Sequence, residues 1–201
     1  MGETGRLDKQ IAFIIEIDKL KNIYRQSFVT GTEKAENDAE HSWHLALMGI
    51  LLQEYVPKGA GADLDLLRVL KMVLVHDLVE IDAGDTYCYD EDAARDKRQR
   101  EEKAASRLFN LLPADQATEF RSLWDEFEGR TTPEALFAAA LDRLQPVLLN
   151  YQTEGRSWRE HGITADQVLR RNELIREGAP ALWAYVQKII SEAVEKGYLL
   201  P

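Results

Sequence analysis

Val69-Leu70-Lys71-Met72-Val73-Leu74-Val75-His76-Asp77-Leu78-Val79-Glu80-Ile81-Asp82-Ala83-Gly84-Asp85 is the stretch that decides how this chain is read. Its apolar density predicts a central helix beginning near Leu64. The unbroken run Val73-Leu74-Val75 ends abruptly in His76 and Asp77, and Glu80, Asp82 and Asp85 follow around a lone Gly84. Ionisable groups at the end of a buried helix need partners, because an uncompensated buried charge costs on the order of several kcal/mol. A metal ion is one such partner, and its remaining ligands have to come from elsewhere in the chain.

Upstream, Ile11, Ile14, Ile15, Ile17, Leu20 and Ile23 fall at mostly helical spacing over residues 8–24. This predicts an amphipathic first helix that Arg25, Gln26 and Ser27 close. Residues 30–37 are polar enough for an exposed loop, after which Asn37 or Asp38 caps a second helix running to about Tyr55. The segment 57–61, with Pro57, Gly59 and Gly61, breaks it, and Asp63 is the next expected cap. Downstream, Asp90-Glu91-Asp92 and the mixed charges from Arg95 to Lys103 predict a solvated loop and helix face, or else a pocket mouth over which Lys97 or Arg98 leans. Further helices are expected to Leu112, over Ala114–Phe127, and from Glu134 to about Tyr151, the last with Thr132 as cap and Pro133 at its first position. The tail from Thr164 to Lys196 adds one or two more, split at Gly178-Ala179-Pro180. No useful strand alternation is present. The expected fold is all-α, a single domain over residues 1–201 with seven to nine helices, and Trp43, Trp124, Trp158 and Trp183 are expected to be packing residues.

At 201 residues and 45% apolar content, the chain can build one ample core. No apolar stretch approaches the roughly 18 to 20 residues of a membrane span, and no leader is visible, so cytoplasmic residence is expected. The single Cys88 allows no internal disulfide and, without a neighbouring base, is expected to be a bystander. The formal net charge of −10 disfavours a nucleic-acid polymer as partner, while leaving room for a small anionic substrate where local cations reverse the potential.

Four histidines can be weighed one by one. His161 sits in a polar break and is expected to be exposed. His41 and His44 share a face of the second helix, and His76 adjoins Asp77. Asp142 stands in the apolar run Phe137-Ala138-Ala139-Ala140-Leu141, and Pro146 removes the hydrogen bond that the Asp142 carbonyl would otherwise accept. A buried carboxylate there wants a cation: either Arg143 pairs with it, or it joins the histidines and Asp77 in an N2O2 set for a divalent metal with open positions.

AEHSWHLAL (residues 39–47), VLVHDLVEIDAGD (73–85) and AALDRLQP (139–146), in that order, resemble the HD-domain metal-dependent phosphohydrolases, most nearly the branch of bacterial 5'-deoxynucleotidases. The resemblance spans about residues 7–175. It implies an HD-type helical bundle, with the C-terminal helices over 164–197 packing on the core or forming a dimer surface. It implies His41, His76, Asp77 and Asp142 as ligands of one divalent ion, whether Co, Mn, Mg, Zn or Fe. It matches Glu80 and Asp85 to the family's catalytic carboxylates and Arg25 to the arginine that grips the substrate phosphate. Gln26 departs from the Trp found there in the bacterial enzymes, so sugar or base selection need not be theirs. His44 has no ligand role in the pattern, although the sequence alone does not separate it from His41.

The implied activity is removal of the 5'-phosphate from (deoxy)nucleoside monophosphates by a metal-activated water. Glu80, one turn beyond His76, is placed to orient or deprotonate that water, and Asp85 is the second carboxylate; the two roles are exchangeable. Arg25 offers a permanently charged fork for phosphate oxygens. The rival readings are hydrolysis of a triphosphate or guanosine polyphosphate, and a non-catalytic nucleotide-binding module that keeps the metal for stability. The apolar tail helices with Trp183 and Tyr185 either form a homodimer surface or finish the core.

Overall fold

The computed structural model describes residues 3–57, 63–89 and 95–201. Helix α1 (Glu3–Ile17) passes through a 3₁₀ turn (Asp18–Asn22) into an antiparallel hairpin of β1 (Tyr24–Phe28) and β2 (Ala35–Asn37). There follow α2 (Asp38–Leu52), α3 (Leu66–Val75), a 3₁₀ turn at His76–Val79, α4 (Glu80–Ala83), α5 (Lys97–Phe109), α6 (Ala114–Gly129) and α7 (Pro133–Gln152). The short α8 (Arg156–Glu160), α9 (Ala165–Asn172) and α10 (Ile175–Gly178) lead to α11 (Pro180–Glu195). The fold is all-α with one small hairpin, and no described helix is long and apolar enough to cross a membrane.

Helix ends sit where local chemistry puts them. Asn37 caps α2 in a reciprocal box with Glu40, and Thr132 caps α7 with Pro133 at the first turn. The α3 cap is Asp65 rather than Asp63, because the side chain that accepts from Arg68 N, at 3.0 Å, is the one adjoining the first turn. The expected break over residues 58–61 and the expected acidic loop at Asp90-Glu91-Asp92 lie outside the described residues.

The expected closure of the first helix by Arg25, Gln26 and Ser27 is corrected: these residues form the middle of β1. Val29 and Thr32 close the turn, with Val29 N donating to Lys34 O at 2.9 Å and Gly31 taking a positive φ of 76°. The strand buries Ser27 and half-buries Arg25, while Gln26 is exposed.

Helix α7 is the hub, packed against α2, α3, α6, α10 and α11. Its Ala138, Ala139 and Ala140 are buried small residues that let neighbours approach closely. Gly178 completes the approach, since a Cβ there would stand 2.3 Å from the Leu136 carbonyl oxygen. One core joins Leu45, Met72, Val73, Leu141 and Leu144 with Trp158, Trp183 and Val186; a second joins Phe13, Val75, Leu78 and Val79 with Leu108 and Trp124. The turn after α3 is anchored in the second core by Leu78 and Val79, while Val73 at the end of α3 packs in the first. Trp43 is not a packing residue, being 61% exposed, whereas Trp183 is buried in the core.

Candidate metal centre

His41 and Asp38 come from α2, Glu36 from β2, His76 and Asp77 from the 3₁₀ turn, Glu80 from α4, and Asp142 and Gln145 from α7. Four side chains converge. His41 Nε2 lies 3.1 Å from Asp142 Oδ1 and 3.8 Å from Asp77 Oδ2, and His76 Nε2 lies 3.1 Å from Asp77 Oδ2 and 3.8 Å from Asp142 Oδ1. His41, His76 and Asp77 are buried.

Both imidazoles are oriented through their far nitrogens. His76 Nδ1 donates to the Val73 carbonyl at 2.9 Å, and His41 Nδ1 donates to Gln145 Oε1 at 3.1 Å. Each bond selects the tautomer whose Nε2 lone pair faces the carboxylates, the arrangement a metal-binding histidine needs. Gln145 is itself fixed by donating to Glu36 and, at 3.3 Å, to His44 Nδ1. His44 thus supports His41 at second hand.

The electrostatics call for positive charge. His76 Nε2, Asp38 Oδ2 and Glu80 Oε2 are buried without a hydrogen-bond partner, and orphaned groups of this kind are rare in a folded protein. Burial disfavours a charged His76, yet Asp77 and Asp142 outweigh it and raise its pKa to about 10. Burial likewise opposes ionisation of Asp77 and Asp142, but the histidines, joined at Asp77 by Arg25, hold both carboxylates below their ordinary range. Burial, followed by Asp77, pushes Asp38 up to about 7, and burial with Asp77, Asp38 and Asp85 drives Glu80 well above the usual range. His41, His76 and Asp77 cluster closely enough to share a metal ion, Asp142 Oδ1 lies beside both imidazoles, and such a donor set with orphaned atoms near it fits a divalent cation.

A second acidic group, Asp38, Asp77 and Glu80, shares Asp77 with the first. Arg25 supplies its cation, with Nη1 2.9 Å from Asp77 Oδ2 and 3.2 Å from Asp38 Oδ1. Nη2 and Nε make no hydrogen bond among the described residues, and Arg25 lines the cavity beside Asp77, Glu80, Asp85 and Asp142. Gly84, at φ 74° and ψ 149°, turns the chain so that Asp85 reaches that wall.

Gln26 is exposed at the cavity rim, where its Oε1 lies 3.3 Å from His161 Nε2, and the His161 ring rests 4.4 Å from that of Tyr87. Lys97 lines the same cavity while pairing with Glu101 at 3.3 Å; Arg98 instead pairs with Glu102. Asp82 faces outward and pairs with Arg107, so it is not part of the cluster. Arg143 does not pair with Asp142: its guanidinium donates to the Arg171 carbonyl, and burial together with the like charge of Arg171 lowers its pKa to about 10.

Three contributors went unread in the sequence. Asp38 lies three residues before His41 and Gln145 three after Asp142, spacings that put each on its partner's helix face, so a signal existed. Glu36 had none, because the strand that carries it has no alternating pattern.

The HD domain family model matches residues 17–183. The chain is 33% identical over 138 residues to the 5'-deoxynucleotidase HDDC2 of Dictyostelium discoideum, covering 68% of this chain and 73% of that protein. It is 30% identical over 140 residues to the Bos taurus protein of the same name, covering 69% of this chain and 64% of that protein. The crystal structure of a protein described as a predicted metal-dependent phosphohydrolase from Magnetospirillum magnetotacticum MS-1 superposes with a TM-score of 0.91 at 51% identity, over 98% of this chain and 96% of that one.

Proposed function

The chain belongs to the HD domain family, and on that footing we propose that it is a metal-dependent phosphohydrolase that removes the 5'-phosphate from (deoxy)nucleoside monophosphates. The observation that carries this reading is the convergence of His41, His76, Asp77 and Asp142 on one point of a cavity that Arg25 and Glu80 also line. The relatives named 5'-deoxynucleotidase supply the substrate class.

In this reading His41, His76, Asp77 and Asp142 hold one divalent ion, whether Co, Mn, Mg, Zn or Fe. Bound there, the ion supplies Lewis acidity toward a phosphoryl oxygen and acidifies the attacking water. The chain does the rest. Arg25, clamped through Nη1, directs its remaining N–H groups at phosphoryl oxygens and neutralises their charge. Glu80, whose burial and acidic neighbours favour its protonated form, exchanges a proton at its orphaned Oε2. Asp85 is the second carboxylate, able to take the complementary proton step as the ester oxygen departs. Gln26 stands at the rim, where it contacts the sugar or base.

We further propose cytoplasmic residence and a homodimer. Trp43, Leu47, Ile50 and Leu51 on α2, and Leu7, Ile11, Ile14 and Ile15 on α1, form exposed apolar stripes at helical spacing, and a second copy would cover them. Phosphate release from nucleoside mono-, di- and triphosphates, with each divalent metal in turn, tests the activity. Release from 5'-monophosphates is the expected result, and none from any monophosphate with any metal overturns the reading.

A further inference from the structure

The cavity that holds the acidic cluster has a second, basic wall. Arg143 of α7 and Arg171 of α9 line it, and neither has a carboxylate within ion-pair distance among the described residues. Among the described residues most other arginines do have such a partner. Elsewhere Arg6 pairs with Asp115, Arg68 with Glu126, Arg121 with Asp125 and Arg170 with Asp166.

Helix geometry accounts for only part of the arrangement. Arg143 donates to the Arg171 carbonyl in the last turn of α9, a favourable place for a cation. One carbonyl satisfies a single guanidinium hydrogen, however, and the two like charges repel across the cavity wall. Two guanidinium groups that line a cavity and have no ion-pair partner among the described residues are suited to bidentate recognition of a phosphate or carboxylate. Asn150 and Asn172 line the same cavity, each with Nδ2 donating to a backbone carbonyl, Pro146 O and Val168 O.

We propose that the substrate of this site carries a second anionic group, a phosphate or a carboxylate, on its nucleoside portion, and that Arg143 and Arg171 receive it. The proposal rests on the phosphomonoesterase reading above and narrows its substrate class. The reactive 5'-phosphate meets Arg25 and the acidic wall, while the second anion is held on the opposite charge and remains on the product.

The test compares adenosine 5'-monophosphate with adenosine 3',5'-bisphosphate, and uridine 5'-monophosphate with its 6-carboxylate, orotidine 5'-monophosphate. Release of the 5'-phosphate is followed by identifying the product nucleoside. At least one doubly anionic substrate is expected to exceed its parent in kcat/KM by about tenfold or more, mostly through KM, as charge-assisted hydrogen bonds would give. The bisphosphate and carboxylate arms distinguish the two anions. Arg171→Gln, whose exposed side chain is not needed for packing, should reduce that advantage severalfold, and Arg143→Gln with Arg171→Gln should remove most of it. Parents hydrolysed as efficiently as both doubly anionic substrates would overturn the proposal alone, as would an advantage unchanged in Arg171→Gln. Absence of release from all four substrates would bring down the phosphomonoesterase reading together with it.

Discussion

Asp77 stands where the demands of this site are most concentrated, touching His76, His41 and Arg25 at once. Asp77→Ala removes a proposed ligand and the counter-charge of Arg25 together, so bound metal measured by atomic emission and turnover should both be lost. Glu80→Gln keeps the shape and the four ligands, so metal content should persist while kcat falls by about 10²- to 10⁴-fold; loss of metal in this variant would instead make Glu80 a ligand. Gln145 acts one bond further out. Gln145→Leu deprives His41 Nδ1 of its acceptor, and metal affinity should drop about 10- to 100-fold, measured by competition with a chelator. At this scale the sequence was informative wherever chemistry sits at helical spacing. His41, His76, Asp77 and Asp142 carried the ordered pattern, whereas Glu36 entered from a strand with no periodic signature, and the freedom of Arg143 from Asp142 depends on a tertiary contact to Arg171.

The elements themselves were legible where local rules set them and obscure where packing did. The caps at Asn37 and Thr132 and the break at Gly178-Ala179-Pro180 follow from side-chain chemistry close in sequence. The β1–β2 hairpin does not, because Tyr24-Arg25-Gln26-Ser27-Phe28 alternates only in burial, not in polarity. The switch from α3 to a 3₁₀ turn at His76 falls where the chain passes from the first core, at Val73, to the second, at Val75, Leu78 and Val79. Gly178→Ala tests the hub: a methyl group 2.3 Å from the Leu136 carbonyl oxygen must push α10 from α7, costing about 1 to 3 kcal/mol by thermal or denaturant unfolding. Gly84→Ala tests the site's supporting turn. No atom lies within 4 Å of the added Cβ, so the cost is backbone strain at φ 74°, about 1 to 3 kcal/mol, or a shift of Asp85 seen as reduced kcat.

For the whole molecule, all-α class and one contiguous fold followed from composition and period, while the surfaces did not. The tail helix α11, expected either to finish the core or to offer a dimer face, buries Trp183, Val186, Ile189 and Ile190 and leaves Tyr185 exposed. The uncovered apolar stripes are on α1 and α2 instead, where they stand exposed among the described residues. Light scattering coupled to size exclusion should give twice the 22.9 kDa chain mass, and Ile15→Glu with Leu51→Glu should shift it toward the monomer; a monomeric mass for the unaltered protein would contradict the homodimer. The central claim, that His41, His76, Asp77 and Asp142 hold the divalent ion on which hydrolysis of nucleoside 5'-monophosphates depends, is tested most directly by phosphate release before and after chelation. The account predicts that chelation abolishes release and that a divalent metal restores it in the unaltered protein but not in Asp77→Ala. Release that survives complete chelation, or that returns fully in Asp77→Ala, would contradict it.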